Sequence, residues 1–298
     1  MLSDKLKNYL HLHFLVFIAG FTATLGELIT VKAVPLVWFR MLIAGILMFG
    51  YINIRKINFA ISLKTFLKFV VAGIVIAMHW ITFFEAIKQS NISITLAMFS
   101  TGAFFASFIE PLFFKRRIIL YEIVFGILVI IGVWLIVQAE LKYINGIILG
   151  LISALFSTLF AVINGKLVER HSASVISFYE FLSGVLFITI FIAIFGSGFS
   201  TDFFKLNDSD WKYLIILGSI CTAYAFIASV YIMKQITPYT VVLTYNMEPI
   251  YGITLAILLF PMQEKMSSGF YIGALIIFST VILNGILKNS NRLKRGRS

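Results

Sequence analysis

Long apolar runs separated by short polar stretches make up most of this 298-residue chain. A helix needs about 20 mostly apolar residues to cross a bilayer, and ten runs reach that length. They cover about 12–31, 35–54, 65–87, 91–114, 118–138, 143–164, 175–197, 211–233, 239–260 and 266–287. The pattern predicts an all-α integral membrane protein with ten transmembrane helices.

Composition excludes a soluble fold. Hydrophobic residues make up 60% of the chain and charged residues only 12%, with a mean hydropathy of +0.99, whereas soluble domains carry about 25% charged residues. The net charge of +11 does not indicate nucleic-acid binding, because that function needs a clustered basic face. Here Lys and Arg lie in short groups between apolar runs, so no nucleic-acid partner is expected.

Neither a metal centre nor a cofactor is expected. Cys221 is the only cysteine, which excludes an internal disulfide and a cysteine-based zinc site. The chain has no G-x-x-x-x-G-K-[ST] phosphate loop, no H-E-x-x-H pattern and no G-x-S-x-G motif. An enzyme is therefore not expected.

The distribution of basic residues predicts the orientation. Lys and Arg concentrate in alternate connections, such as Arg55-Lys56 and Lys115-Arg116-Arg117, and in the C-terminal tail. Because basic loops stay in the cytoplasm, both termini are predicted to be cytoplasmic in a multi-pass protein of the cytoplasmic membrane. The tail also suits anionic membrane lipids.

The two halves of the chain resemble each other. The segment AIKQSNISITLAMFS (Ala86–Ser100) aligns with IMKQITPYTVVLTYN (Ile232–Asn246) at an offset of 146 residues. This predicts two five-helix repeats, residues 1–140 and residues 141–298 with the basic tail. Because five is odd, the second repeat must be inverted, and inverted repeats form a site near the membrane midplane.

The motifs resemble a known family. FFEAIKQSNISITLAMFS, FIEPLFFKRR and LTYNMEPIYGITLAILL are similar to segments of the drug/metabolite transporter superfamily, and within it of the EamA-type ten-helix carriers. The resemblance implies a central cavity lined by spans one to four and six to nine, with spans five and ten peripheral. Many relatives have a proline in the middle of span four, where this chain has Gly102. We therefore do not expect spans four and nine to bend equally.

Charged residues inside spans are costly and usually face the protein interior. Here they are Glu27, Arg40, Glu85, Glu110, Glu180 and Glu248, with His79 as a titratable neighbour. Glu27 and Arg40 lie at similar depths in adjacent spans, which predicts an ion pair. Such a pair either fastens two helices or gates the outer side, and Arg40 could instead bind a substrate carboxylate.

Glu180 is the approximate repeat equivalent of Arg40. An inverted fold would place these opposite charges on two sides of one cavity, so Glu180 is a substrate-binding candidate. Glu85 and Glu110 lie near span ends, where carboxylates are common at interfaces.

Span nine carries the strongest candidate site. Glu248 lies at the midplane, and Tyr245, one turn earlier, shares its face. Asn246 is a further substrate-binding candidate. Pro249 is predicted to kink the helix, because its missing N–H frees the carbonyl of Tyr245.

Span three adds His79 and Trp80, and span eight adds Tyr224. His79 either bonds to a neighbouring helix or handles a proton or substrate. Trp80 and Tyr224 could line a cavity for a flat organic solute.

These features favour a secondary transporter that works by alternating access on a small organic metabolite. Export of an amino acid or a related solute rests on the resemblance alone. Glutamates outnumber the one arginine and one histidine of the spans, which favours a zwitterionic or cationic solute, or proton coupling at Glu248. The expected partners are a small-molecule substrate and lipids, with a homodimer left open. The alternative is a non-transporting membrane protein, namely a receptor, a scaffold or a lipid-handling enzyme.

Overall fold

The computed structural model describes residues 4–115, 117, 120–196, 198–233, 244–245 and 247–295, and all regular elements of this part of the chain are helical. The α-helices are α1 Asp4–Leu28, α2 Ala33–Ile54, α3 Leu63–Gln89, α4 Ile92–Phe99, α5 Gly102–Phe114, α6 Leu120–Ala139, α7 Ile144–Leu167, α8 Ala173–Phe195, α9 Thr201–Phe204, α10 Asp208–Gly218, α11 Ala225–Met233, α12 Glu248–Leu259 and α13 Ser268–Arg295. A π-helical turn, Ser219–Tyr224, joins α10 to α11, and a 3-10 turn, Leu141–Tyr143, precedes α7.

The described residues contain 9 helical segments long and apolar enough to cross a membrane. A shorter apolar helix, α12, occupies the ninth predicted span, whose residues 239–243 lie outside the described part of the chain. The predicted all-α membrane fold is confirmed.

Helices of the first half pack mainly against helices of the second half. The main pairs are α1 with α12, α2 with α8, α3 with α7 and α8, α4 and α5 with α7, and α6 with α13. Each span therefore meets a span of the other repeat, as two inverted five-helix repeats require. The helices α6 and α13 pack against each other at Gly132 and Gly273, which agrees with their expected peripheral position.

Spans four and nine are both interrupted, and at equivalent positions. Span four divides into α4 and α5, with the second helix starting at Gly102. The offset of 146 residues places Gly102 opposite Glu248, where α12 starts. The expectation that Gly102 would make the two spans bend differently was therefore wrong.

Two hydroxyl side chains lie at the break in span four, which has no proline there. Ser100 donates its hydroxyl to the carbonyl of Leu96 at 2.9 Å, and Thr101 donates to that of Met98 at 2.6 Å. Such back-bonding competes with the helical hydrogen bonds and bends or ends helices.

Polar contacts link the helix ends at one end of the bundle, which we call the Asp210 end. The Asp210 carboxylate accepts from the Thr30 N–H and hydroxyl, each at 2.7 Å. Across the same end, Glu264 accepts from the N–H groups of Ile92 (3.0 Å) and Ser93 (2.9 Å), and Glu140 accepts from the N–H of Ser267 at 2.9 Å. These bonds tie α1 to α10 and the start of α4 to the loop before α13, so they hold the helices together at the Asp210 end.

Candidate functional site

The guanidinium of Arg40 lies buried in the middle of α2, with 3% of the residue exposed. Its central carbon lies 3.9 Å from the centroid of the Trp80 ring and 5.6 Å from that of Phe84. An arginine over an aromatic face is stabilised by the ring quadrupole. Both aromatic rings belong to α3, so α3 provides the platform on which this charge rests.

One edge of the Arg40 guanidinium is bonded and another is free. Nε donates to the hydroxyl of Thr222 at 2.8 Å. Nη1 is buried and has no hydrogen-bond partner among the described residues. An unsatisfied buried donor is costly, and a carboxylate is the natural ligand for the free edge of a guanidinium.

Thr222 was not identified from the sequence. It belongs to the π-helical turn, and its hydroxyl donates to the carbonyl of Leu217, five residues earlier, at 2.7 Å. Its oxygen therefore has the lone pair that accepts from Arg40. Such single-turn π-helices often occur at functional sites, but a threonine in an apolar run gives no signal of one.

Glu248 is the carboxylate that acts electrostatically on Arg40. It is the first residue of α12, and its placement depends on close packing against α1. A Cβ added at Gly20 would lie 3.0 Å from the Glu248 carbonyl oxygen and 2.8 Å from the backbone nitrogen of Gly252. Only glycine allows this approach, so Gly20 fixes the position of the start of α12.

The sequence predicts that Pro249 kinks a continuous helix. Pro249 is the second residue of α12. The first turn of a helix accommodates proline, because its N–H would have no intrahelical partner there. Thr244 and Tyr245 are helical and Met247 lies in a turn before α12, while Asn246 between them is outside the described residues, so the kink stays a prediction.

The hydroxyl of Tyr245 forms a 2.8 Å hydrogen bond with that of Ser229 on α11. This contact holds the residues before α12 against α11. Asn246, the neighbouring candidate, lies outside the described residues.

His79 is buried on α3 and anchored to α7. Its Nδ1 lies 2.9 Å from the hydroxyl oxygen and 3.1 Å from the carbonyl oxygen of Ser153. Its ring stacks on Phe99, with centroids 5.4 Å apart. The structure thus brings His79 next to Trp80 and gives it a hydrogen-bonded, interhelical position.

The predicted ion pair between Glu27 and Arg40 is wrong. Glu27 is exposed at the Asp210 end, where Lys88 and Glu264 are its charged neighbours. Lys88 donates to the carbonyl of Ile29 at 2.8 Å, just after α1, as basic residues near helix C-termini commonly do. The prediction used depth alone, whereas Glu27 is exposed and Arg40 is buried.

Glu180 and Tyr224 have hydrogen-bond partners other than Arg40. Glu180 accepts from the amide of Asn164 at 2.8 Å, and its place across a cavity from Arg40 stays a prediction. Tyr224 is 39% exposed, and its hydroxyl lies 2.7 Å from Nε2 of His11. The site around Arg40 therefore comprises Trp80, Thr222 and Glu248.

No cluster of three or more potential metal ligands occurs among the described residues. What the Arg40 site offers is a buried cation with a free donor, a carboxylate nearby and aromatic walls. This arrangement can bind and orient a small charged solute.

Comparisons with known proteins agree with this architecture. A family model described as "EamA-like transporter family" matches residues 7–138 and 144–286. No curated protein matches the chain. A solved structure described as "Crystal structure of protein" superposes with a TM-score of 0.64 at 13% sequence identity, covering 95% of this chain and 99% of its own. At that identity the likeness shows the fold alone.

Proposed function

Because the chain belongs to the EamA-like transporter family, we propose that it is a secondary carrier that moves a small organic metabolite across the cytoplasmic membrane by alternating access. The solute class that fits the site best is an amino acid or a related zwitterion, moved in the export direction. The basic loops and both termini face the cytoplasm, and the Asp210 end faces outward.

The observation that supports this proposal is the buried Arg40 with its free Nη1. A charge inside a membrane protein is expensive and is usually retained for a function. The solute carboxylate would bind to Nη1, and the solute ammonium would approach Glu248, which already acts on Arg40. The rings of Trp80 and Phe84 would contact the apolar part of the solute.

Alternating access requires two gates. The bonds at the Asp210 end form a closed outer gate, and they connect elements from both repeats. Rocking of one repeat against the other would break these bonds and expose Arg40 to the outside.

Counterflow in proteoliposomes tests the proposal. Proteoliposomes that contain the purified protein are preloaded with one member of a panel of neutral, acidic and basic amino acids. Uptake of the same compound in labelled form is then measured. We expect exchange of at least one neutral amino acid and its loss in Arg40→Gln. Arg55→Gln is the matched control, because Arg55 is exposed just after the same helix.

Two results would contradict the proposal. Counterflow of no panel member by folded wild-type protein would favour the non-transporting alternative. Counterflow by Arg40→Gln at the wild-type rate and affinity would show that solute binds elsewhere.

A further inference from the structure

A second buried carboxyl group lies outside the Arg40 site. Glu180 on α8 is 1% exposed. Its Oε1 accepts from Nδ2 of Asn164 on α7 at 2.8 Å, and its Oε2 is buried without a hydrogen-bond partner among the described residues. A buried ionised carboxylate is strongly unfavourable unless it is paired. A proton on Oε2 removes the charge and leaves Oε1 free to accept from Asn164.

The amide of Asn164 shows which ligand suits this carboxyl group. Its nitrogen also donates to the carbonyl of Phe160, at 3.3 Å. Both contacts use the nitrogen, so the amide turns donors toward Glu180. A metal cation would need oxygen ligands there, and the amide nitrogen of Asn164 is not one. The donor set therefore favours a proton over an alkali cation.

The backbone of α8 packs closely against α3 at Glu180. A Cβ added at Gly73 of α3 would lie 2.5 Å from the carbonyl oxygen of Glu180 and 2.9 Å from Cβ of Ser183. The hydroxyl of Ser183, one turn beyond Glu180, is likewise buried without a partner among the described residues.

No charged side chain in the described chain neutralises Glu180, whose electrostatic partner is the uncharged Asn164. The helices packed around it are α2, α3, α7 and α11. Four titratable groups on α2, α3, α7 and α8 have other partners. Arg40 interacts electrostatically with Glu248, and His79 bonds to Ser153. Lys166 donates to the carbonyl of Phe113, and Tyr179 donates to the carbonyl of Phe59. The remaining titratable groups on these helices lie nearer their ends or point outward: Tyr51, Lys64, Lys68, Glu85, Lys88 and Tyr231.

A pocket lies next to Tyr179, the neighbour of Glu180 in α8. A pocket of about 490 Å³ opens among exposed residues after α2 and reaches Tyr179, the residue before Glu180. Tyr179 is the residue of α8 that lines this pocket, at the end of the bundle opposite Asp210.

We propose that Glu180, with Asn164 as its donor, is a proton-binding site, separate from the solute site, whose proton is exchanged during transport. This rests on the proposed carrier function. The link to the solute site is Phe181, the next residue of α8, whose ring lies 6.0 Å from that of Trp80, the platform of Arg40. Movement of α8 on proton exchange would shift that platform.

Infrared difference spectroscopy on the full-length protein tests the proton directly. We expect the wild type at neutral pH to show a protonated-carboxyl C=O band that shifts in D2O. Glu180→Gln should remove this band. Asn164→Ala, which keeps the carboxyl group, should shift it. Glu85→Gln is the matched control, because Glu85 also accepts from a side-chain amide, that of Gln89 at 2.8 Å, but at an exposed position; it should leave the band unchanged.

Transport measurements test the coupling. The probe is labelled leucine, a zwitterion with an apolar side chain, in proteoliposomes with an imposed pH gradient. Glu180→Gln should lose gradient-driven accumulation and retain leucine counterflow, because counterflow needs no net proton movement. Three results would overturn the proposal. The infrared band could be unchanged in Glu180→Gln, or that variant could accumulate leucine to the wild-type level. The third is leucine accumulation that depends on a sodium gradient instead of the pH gradient. If the wild type shows no counterflow, the carrier function fails, and the infrared band still decides whether Glu180 holds a proton.

Discussion

The contact between Thr30 and Asp210 ties α1 to α10 at one end of the bundle, and we expect Asp210→Asn to weaken it. Both carboxylate oxygens accept from Thr30 at 2.7 Å. Hydrogen bonds to a charged acceptor contribute about 1.5–3 kcal/mol each, against about 0.5–1.5 kcal/mol between neutral groups. An asparagine can keep both contacts only as neutral bonds, so the closed state loses about 2 kcal/mol, which corresponds to a factor of about 30 in the open-to-closed ratio.

Cys221 provides a native reporter of this change. It is the only cysteine of the chain, and it lies buried beside Arg40 and Thr22, where α1 meets the π-helical turn. Separation of α1 from α10 would expose it. We therefore expect a membrane-impermeant maleimide, added from the side of the Asp210 end, to label Cys221 about 30-fold faster in Asp210→Asn than in the wild type.

The control is Asp208→Asn, because Asp208 lies in the same first turn of α10 with an exposed side chain. It should label at the wild-type rate. Our reasoning would be refuted if Asp210→Asn also labelled at that rate, or if it lowered the unfolding temperature without changing the labelling, since the contact would then be purely structural.

Two further predictions concern the position and orientation of the charged groups. Gly20→Ala should lower the unfolding free energy in detergent by about 1–3 kcal/mol, because the new Cβ would lie 2.8 Å from the backbone of Gly252. The control is Gly50→Ala, which should not lower it, because nothing lies within 4 Å of that Cβ. Equal losses in the two variants would contradict this prediction. Thr222→Val should raise the KM for leucine counterflow about 10- to 100-fold, because it leaves Nε of Arg40 buried without its acceptor, whereas Thr222→Ser should restore the wild-type value; an unchanged KM in the valine variant would show that Thr222 does not orient Arg40.

The interruption of span four shows where sequence reasoning failed on a local feature. A proline was taken as the sign of a bend, so spans four and nine were not expected to bend equally. The repeat alignment placed Gly102 opposite Glu248, and helices start at both residues. In span four the hydroxyls of Ser100 and Thr101 bond back to the preceding turn, an effect that residue type alone does not reveal.

The Arg40 site shows where sequence reasoning failed on a long-range feature. Arg40, Trp80 and Glu248 were each identified as candidates, because charges and a histidine-flanked tryptophan stand out in apolar runs. The predicted partner of Arg40 was Glu27, yet its contacts are Trp80 and Thr222, with Glu248 as its charged neighbour.

The sequence by itself determined the membrane fold, its helical spans and the candidate charges, because the thickness of the bilayer and the cost of an intramembrane charge act on each segment separately. The tertiary structure alone decided which charges meet, and that Glu180 pairs with Asn164. The physical reason is that lipid and protein interior are both apolar, so most faces of these helices read alike in the sequence. Glycine contacts such as Gly20 with Gly252 set how each helix is rotated, and that rotation determines the partner of every buried polar group.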